Sequence, residues 1–509
     1  MSICRRRGTE PVPGIACVLF LLCLATPAIA VAVEEGEIAA PAGSTANPGA
    51  SQQASPSAAF AGAPNPFFLP EGRKLGDTFP FFKDGVCHLF CMWMPTFGHF
   101  TSRDLVHWEK RPPTSFGGAT GCVVEHEGKY YFFYTGAQNI CLATSTDLEH
   151  WTQHSENPVL RGDDRMYATG DFRDAFVFFH AGERQWWMLF GTRRADRPAQ
   201  RGGCVGLAKS QDLLRWQLHT PLWSPDIGPH ADCPQVIEHK AHWYLIYLQR
   251  QTRYRVADSL DGPWRRPPIR DLGTKFSAAG SRPAFDGRRW ISFPFLLDLE
   301  GQTDLGQWGY GGPLAVPRQW DFQPDGSITQ RPAEEIVAAM TAPTSRESRR
   351  PLEGAKSLVG QWELHDGATA RSLNASGGTL QLGEWPENFY LEADITIEAE
   401  DADFHLLFNA SDDLLQGYQL AIRPRLDVAD LRPISRWDVD RTLESVPFAI
   451  EANHPTKLRV FRHGTMLDVF IGDRATLTHR LYAHRGGRVF LEFRDATGCV
   501  ANLTVRRLE

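Results

Sequence analysis

Three aspartates stand directly ahead of strongly apolar stretches: Asp77 in "GDTFPFF" (76–82), Asp174 in "RDAFVFF" (173–179) and Asp232 in "ADCPQVI" (231–237). A charge beside an apolar run is costly to bury unless it is paired or put to use. Each also keeps nearly the same distance from an aromatic-rich stretch, with Asp77 11 residues before His88, Asp174 12 before Trp186 and Asp232 11 before Trp243. One such aspartate reads as a turn or strand-end cap; three in register read as carboxylates delivered to one place. Two chemistries use such a cluster, metal binding and glycoside cleavage. Calcium or magnesium is poorly served, because Arg173 opposes a cation and no oxygen-rich D-x-D-x-D loop accompanies the set. No metal and no cofactor is therefore expected. Glycoside cleavage needs two carboxyl groups, one to attack or direct water and one to protonate the leaving oxygen. Arg173 can hold a neighbouring carboxylate ionised while donating to sugar hydroxyls.

Bringing residues so far apart to one point requires a repeating scaffold. The phrase Ser-x-Asp-Leu-x-x-Trp occurs at 102–108, 145–151 and 210–216, and in degraded form as "SLDGPW" at 259–264. An aromatic strand precedes each: "HLFCMW" (88–93), "YYFFYTG" (130–136), "WWMLFGT" (186–192) and "WYLIYLQ" (243–249), while "WISFPFL" (290–296) supplies a fifth. The tryptophans at 108, 151, 216 and 264 are 43, 65 and 48 residues apart, which suits a four-stranded unit with variable loops. Five such units around an axis make a β-propeller, over residues 63–330. Each tail tryptophan is expected to plug the space between blades. If the segment ahead of each aromatic strand is the innermost of its blade, the three aspartates meet at the mouth of the central channel. The two remaining units carry "ATGCVV" (119–124) and "SAAGSR" (277–282) at that place.

The chain of 509 residues is long enough for two domains. After a short helical pattern and polar linker (331–355), residues 356–509 alternate as strands with tight turns, including a hairpin at His463-Gly464, and predict a β-sandwich. A net charge of −7 gives no basic footprint for nucleic acid or an anionic membrane surface. At the N-terminus three arginines precede the apolar stretch 15–30, which ends Ala28-Ile29-Ala30. This predicts a signal peptide over 1–30 and a secreted or periplasmic protein, with no membrane attachment after cleavage. Residues 31–62, rich in Ala, Gly, Ser, Pro and Gln, read as a disordered tether. Of ten cysteines, seven lie beyond residue 30, with no zinc-like spacing, and read as small buried hydrophobes.

At these residues the sequence resembles the family 32 glycoside hydrolases, the invertase, levanase and inulinase group. "DGVCHLFCMW", "GHFTSRDLVHWEKRPP", "FRDAFV", "ADCPQV" and "WGYGGPLAVPRQWDFQPDGSITQRP" are similar, in order, to that family's motifs. The resemblance implies a five-bladed propeller followed by a concanavalin-like β-sandwich, acting on an oligo- or polysaccharide. It implies a retaining β-fructosidase with Asp77 as nucleophile, Asp174 as transition-state stabiliser and Asp232 as acid/base. Arg173, Trp93, Phe116 and Thr120 would contact the sugar and Trp308 with Tyr310 would close the mouth over it, with Gln249 and His99 as weaker candidates. Three departures stand out. The family's N-D-P-N-G reads "GDTFP" here, its acid/base Glu is Asp232, and its R-D-P is R-D-Ala. A propeller glycosidase of arabinofuranosidase or xylosidase type and a non-catalytic sugar-binding propeller are the alternatives, with Glu238 the next acid if Asp232 is not one.

Overall fold

The structure, a computed structural model, describes residues 65–508 except 227, 250, 270, 274–281, 343–347, 350 and 436–440. The expected signal peptide (1–30), the tether (31–62) and 277–281 of "SAAGSR" lie outside the described residues. Five antiparallel sheets follow one another along the chain, each running strand by strand in sequence order. Blade 1 spans the strands from Thr78–Lys83 to Glu109–Arg111 and blade 2 those from Ala119–His126 to Thr152–Gln153. Blade 3 runs from Arg173–His180 to Gln217–Trp223, blade 4 from Asp232–His239 to Gln251–Ala257, and blade 5 from Pro283–Phe285 to Ile328–Pro332. The aromatic stretches are the second strands, and the aspartates stand at or just ahead of the innermost ones.

The repeated phrase is a turn held by its own side chains. Ser102 Oγ accepts the N–H groups of Asp104 and Leu105, and Asp104 Oδ1 accepts those of Val106 and His107. This holds Leu105 at φ +61°, with Leu148 and Leu213 at +66° and +64°, a conformation a branched apolar residue rarely adopts. The closing tryptophan then meets the previous blade edge-on. Trp151 packs on Phe90 of blade 1 at 81°, Trp216 on Phe133 of blade 2 at 89°, and Trp108 on Phe293 of blade 5 at 84°. The tryptophans thus sit between blades, as the repeat predicts. The ring is completed where the segment ahead of blade 1 bridges blade 5, through Phe68 with Leu314 and Leu75 with Gly312.

Residues beyond blade 5 form two antiparallel sheets of seven and eight strands, face to face. Strand Phe389–Ile397 shows the alternation expected of a sandwich, its odd-numbered residues buried and most of the others half-buried. The segment expected as a linker is partly structural, because helix Glu334–Thr341 buries Ile336 and Met340. These two join Leu314 and Val316 of blade 5, Leu89 and Phe100 of blade 1, and Tyr390, Phe461 and Phe470 of the sandwich in one apolar cluster. Propeller and sandwich therefore share a core. All seven described cysteines are free, five of them buried.

Candidate active site

The inner strands carry the site, and they are irregular where they reach it. Pairing shifts register between Ala119 and Gly121 in blade 2, Leu189 and Gly191 in blade 3, and Asp232 and Gln235 in blade 4. Bulges at such positions re-aim side chains. Asp174 and Cys233 have left-handed backbones, at φ +62° and +48°, the kind of strain that clusters at functional sites.

Asp77 directly precedes strand Thr78–Lys83. Its carbonyl accepts the Met92 N–H at 3.1 Å, and its own N–H donates to the Tyr310 hydroxyl at 3.0 Å. The Thr120 hydroxyl donates to its Oδ2, and Cys233 Sγ lies 3.9 Å from the same oxygen. Asp174 is buried; its N–H donates to Thr135 Oγ1 at 2.9 Å and its Oδ2 accepts the Cys233 N–H at 2.9 Å. Asp232 opens the inner strand of blade 4, and its Oδ1 accepts both Nε (3.0 Å) and Nη2 (2.8 Å) of Arg173. Arg173 Nε is also 3.9 Å from Asp174 Oδ2, so one guanidinium faces two of the three carboxylates.

Four residues that sequence reasoning did not single out complete the arrangement. Buried Asp171 accepts from Arg173 Nη1 and Arg193 Nε, and His230 Nδ1 accepts from Arg173 Nη2 at 2.7 Å. Burial and the neighbouring Arg173 push the His230 imidazole down, so it is neutral with its proton on Nε2. Beneath the carboxylates, buried Arg282 donates to the carbonyls of Gly121, Ala175 and Asp174 and ties blades 2 and 3 together. Asp171 and His230 each stand two residues before a residue already singled out, Arg173 and Asp232, which is the only sequence signal they leave. Arg282 leaves none.

Burial pushes the Asp77 carboxyl up to about 6; Asp174 adds to this, while Thr120, Tyr310 and Arg282 oppose it. Asp232 is also raised, to about 6, by burial, with Arg173 pulling down and Asp174 pushing up. Arg173 is held charged above its ordinary value: burial opposes its charge, and Asp232, Asp174 and Asp171 outweigh that. Oxygens of Asp77 and Asp174 and the sulfur of Cys233 lie within 4.8 Å of one another. Burial and the adjacent carboxylates raise the Cys233 thiol well above its usual value, which leaves two carboxylates and a neutral thiol, a donor set ill suited to a hard cation.

Thr120 and Arg173 are where the sequence puts them. Trp93 and Phe116 are not: Trp93 is buried against Phe100 with the Arg73 guanidinium 4.4 Å over its ring, and Phe116 packs among Phe97, Phe132 and Tyr134. Trp308 turns to the sandwich, edge-on to His479 at 5.3 Å. His99 stacks on Phe90 inside blade 1, Gln249 accepts from Arg253, and Glu238 is exposed toward the far end of its strand. Tyr310, expected with Trp308 at the mouth, instead touches Asp77.

Residues 79–262 match the glycosyl hydrolases family 32 N-terminal domain, a segment that holds Asp174 and Asp232 and begins two residues after Asp77. Over this segment the chain is similar to glycoside hydrolase family 32. Among relatives of this family, a sucrose-6-phosphate hydrolase of Klebsiella pneumoniae is 28% identical over 306 residues, 50% of this chain and 63% of that protein. An insoluble β-fructofuranosidase isoenzyme of Arabidopsis thaliana is 25% identical over 497 residues, 79% of this chain and 82% of that protein. The chain thus spans less than two thirds of the first of these. Fructan 1-exohydrolase IIa of Cichorium intybus has the same fold, with a TM-score of 0.64 at 16% identity over 87% of this chain and 97% of that one.

Proposed function

We propose that this protein is a retaining β-fructosidase that hydrolyses fructosyl linkages of the sucrose, levan or inulin type. The observation that carries the reading is the meeting of three carboxylates from different blades: Asp174 lies beside Asp77 on one side and shares Arg173 with Asp232 on the other. Relatives named for sucrose-6-phosphate hydrolysis, β-fructofuranosidase and fructan exohydrolase activities support the substrate class.

Asp77, ionised, attacks the anomeric carbon while Asp232, protonated, gives its proton to the departing oxygen; a fructosyl ester forms on Asp77 as the glycosidic bond breaks. Asp232 then takes a proton from water, which opens the ester with the original configuration restored. Asp174, held by the Cys233 and Thr135 contacts, accepts from sugar hydroxyls as positive charge develops on the ring. The apolar N-terminal stretch supports export, which N-terminal sequencing of the protein recovered from outside the cytoplasm tests.

The functional test is a screen over sucrose, inulin, levan and aryl furanosides with the first-formed anomer read by NMR. Release of β-fructose is expected. Turnover confined to arabinosides or xylosides, or none on any glycoside, refutes the reading.

A further inference from the structure

Asp77 sits at a break in the sheet ladder. Its carbonyl is bonded to Met92 N–H and the preceding Gly76 N–H to Met92 O, but regular pairing of the inner strand starts only at Thr78 with Cys91. The Asp77 N–H points away from that partner and is taken by the Tyr310 hydroxyl, 233 residues later in the chain. The same hydroxyl lies 3.1 Å from Met92 Sδ. The Tyr310 ring reaches this place because residue 76 has no side chain. A Cβ there would stand 2.8 Å from the Tyr310 hydroxyl oxygen, 2.9 Å from its Cε1 and 2.9 Å from Met92 Cβ. Gly76 is not among the positive-φ glycines, so close approach and not backbone conformation demands it. Tyr310 itself follows the hairpin Asp298–Leu299 to Trp308–Gly309, which the sandwich grips: Asp304 accepts from Tyr418 and from the Tyr482 and Ala483 N–H groups, and Asp298 pairs with Arg480.

We propose that Tyr310 is a positioning residue for Asp77, its hydroxyl fixing the backbone of the attacking residue from a slot that Gly76 keeps open. This deepens the fructosidase reading and rests on Asp77 as nucleophile. The groups facing Asp77 are Thr120 from blade 2, Asp174 from blade 3, Cys233 from blade 4, and Arg282 and Tyr310 from the blade 5 region. Losing the phenol removes a hydrogen bond that favours the ionised carboxyl, so the Asp77 titration moves upward.

The test is Tyr310→Phe, with Gly76→Ala as a second variant that displaces the ring from the other side. Tyr310→Phe should lower kcat/KM by roughly 10- to 100-fold. The loss should be equal for poor and activated leaving groups, since attack and not departure is impaired. The acid limb of the pH profile should move up while the melting temperature stays near that of wild type. Carbon-13 NMR of carboxyl-labelled aspartate, with the Asp77 signal assigned from Asp77→Asn, reads the titration without turnover. Both variants should raise its midpoint. A rise in KM alone, or an unmoved midpoint in both variants, overturns the proposal. If wild type cleaves no fructoside, the functional reading fails while this titration still decides what Tyr310 does.

Discussion

Arg318 of the propeller and Asp468 of the sandwich form a 3.0 Å ion pair with side-chain exposures of 1% and 0%. Asp468 also accepts from the Thr478 hydroxyl and the Val316 N–H, so its lone pairs are used on both sides of the domain boundary. Removing one partner of such a pair strands a buried charge, at a cost of about 3–5 kcal/mol. Asp468→Ala is therefore expected to lower the unfolding free energy by that order, measured by denaturant melts. The double variant Arg318→Met/Asp468→Leu should recover most of the loss. A single variant as stable as wild type would mean that the boundary does not depend on this pair.

Asp77 and Asp232 are both raised to about 6, and the proposed mechanism uses them in opposite protonation states. Below that value Asp77 loses its charge and cannot attack; above it Asp232 loses the proton it must donate. The profile of kcat/KM should be a bell centred near pH 6, its limbs belonging to the pair as a whole.

The same shifts make a stability prediction. A carboxyl raised in the folded state binds protons more tightly there than in the unfolded chain, so stability falls as pH rises from the ordinary value of 3.8 to about 6. Asp77→Asn removes that cost. It should abolish turnover yet melt a few degrees above wild type at pH 7–8, an order set by about 2–4 °C per kcal/mol, and no higher at pH 4. Lost activity that only tracks lost folding would make Asp77 structural.

Asp232 holds the acid/base role in the proposed mechanism. Asp232→Ala should slow substrates with poor leaving groups by about 10²–10⁴-fold. Activated aryl glycosides should be far less affected, and added azide should restore part of the rate. In Asp232→Glu the longer side chain must leave the fork of Arg173, whose Nε and Nη2 both donate to Asp232 Oδ1. Activity should fall. A rise on restoring Glu would mean that the pocket is not built around the shorter acid.

The blades were legible because their signal is local. Ser, Asp and Leu of each turn bond within a few residues, and the same chemistry recurs wherever the turn does. In blade 5 the phrase's place, between the third and fourth strands Arg318–Phe322 and Ile328–Pro332, is taken by a shorter turn over 323–327 closed by the Gln323 N–H on the Ser327 carbonyl. The aspartates were legible because they keep their place relative to an aromatic strand. Arg282, the contact of Tyr310 with Asp77 and the reach of Asp171 to Arg193 were not, since each crosses blades or bulges and leaves no spacing to read. Trp93 and Phe116 show the reverse error. An aromatic residue at a strand end looks the same in sequence whether it faces the axis or the neighbouring strand, and the bulged strands shift the alternation that would decide it.

In the proposed mechanism Asp77 becomes covalently bonded to fructose. Asp232→Ala, mixed with an activated aryl β-fructofuranoside and quenched within seconds, should accumulate protein heavier by one fructosyl residue, because loss of the base slows breakdown of the ester. Peptide mapping should place the added mass on Asp77. An adduct on another residue, or none while α-fructose appears first in the wild-type reaction, would rule out Asp77 as the nucleophile.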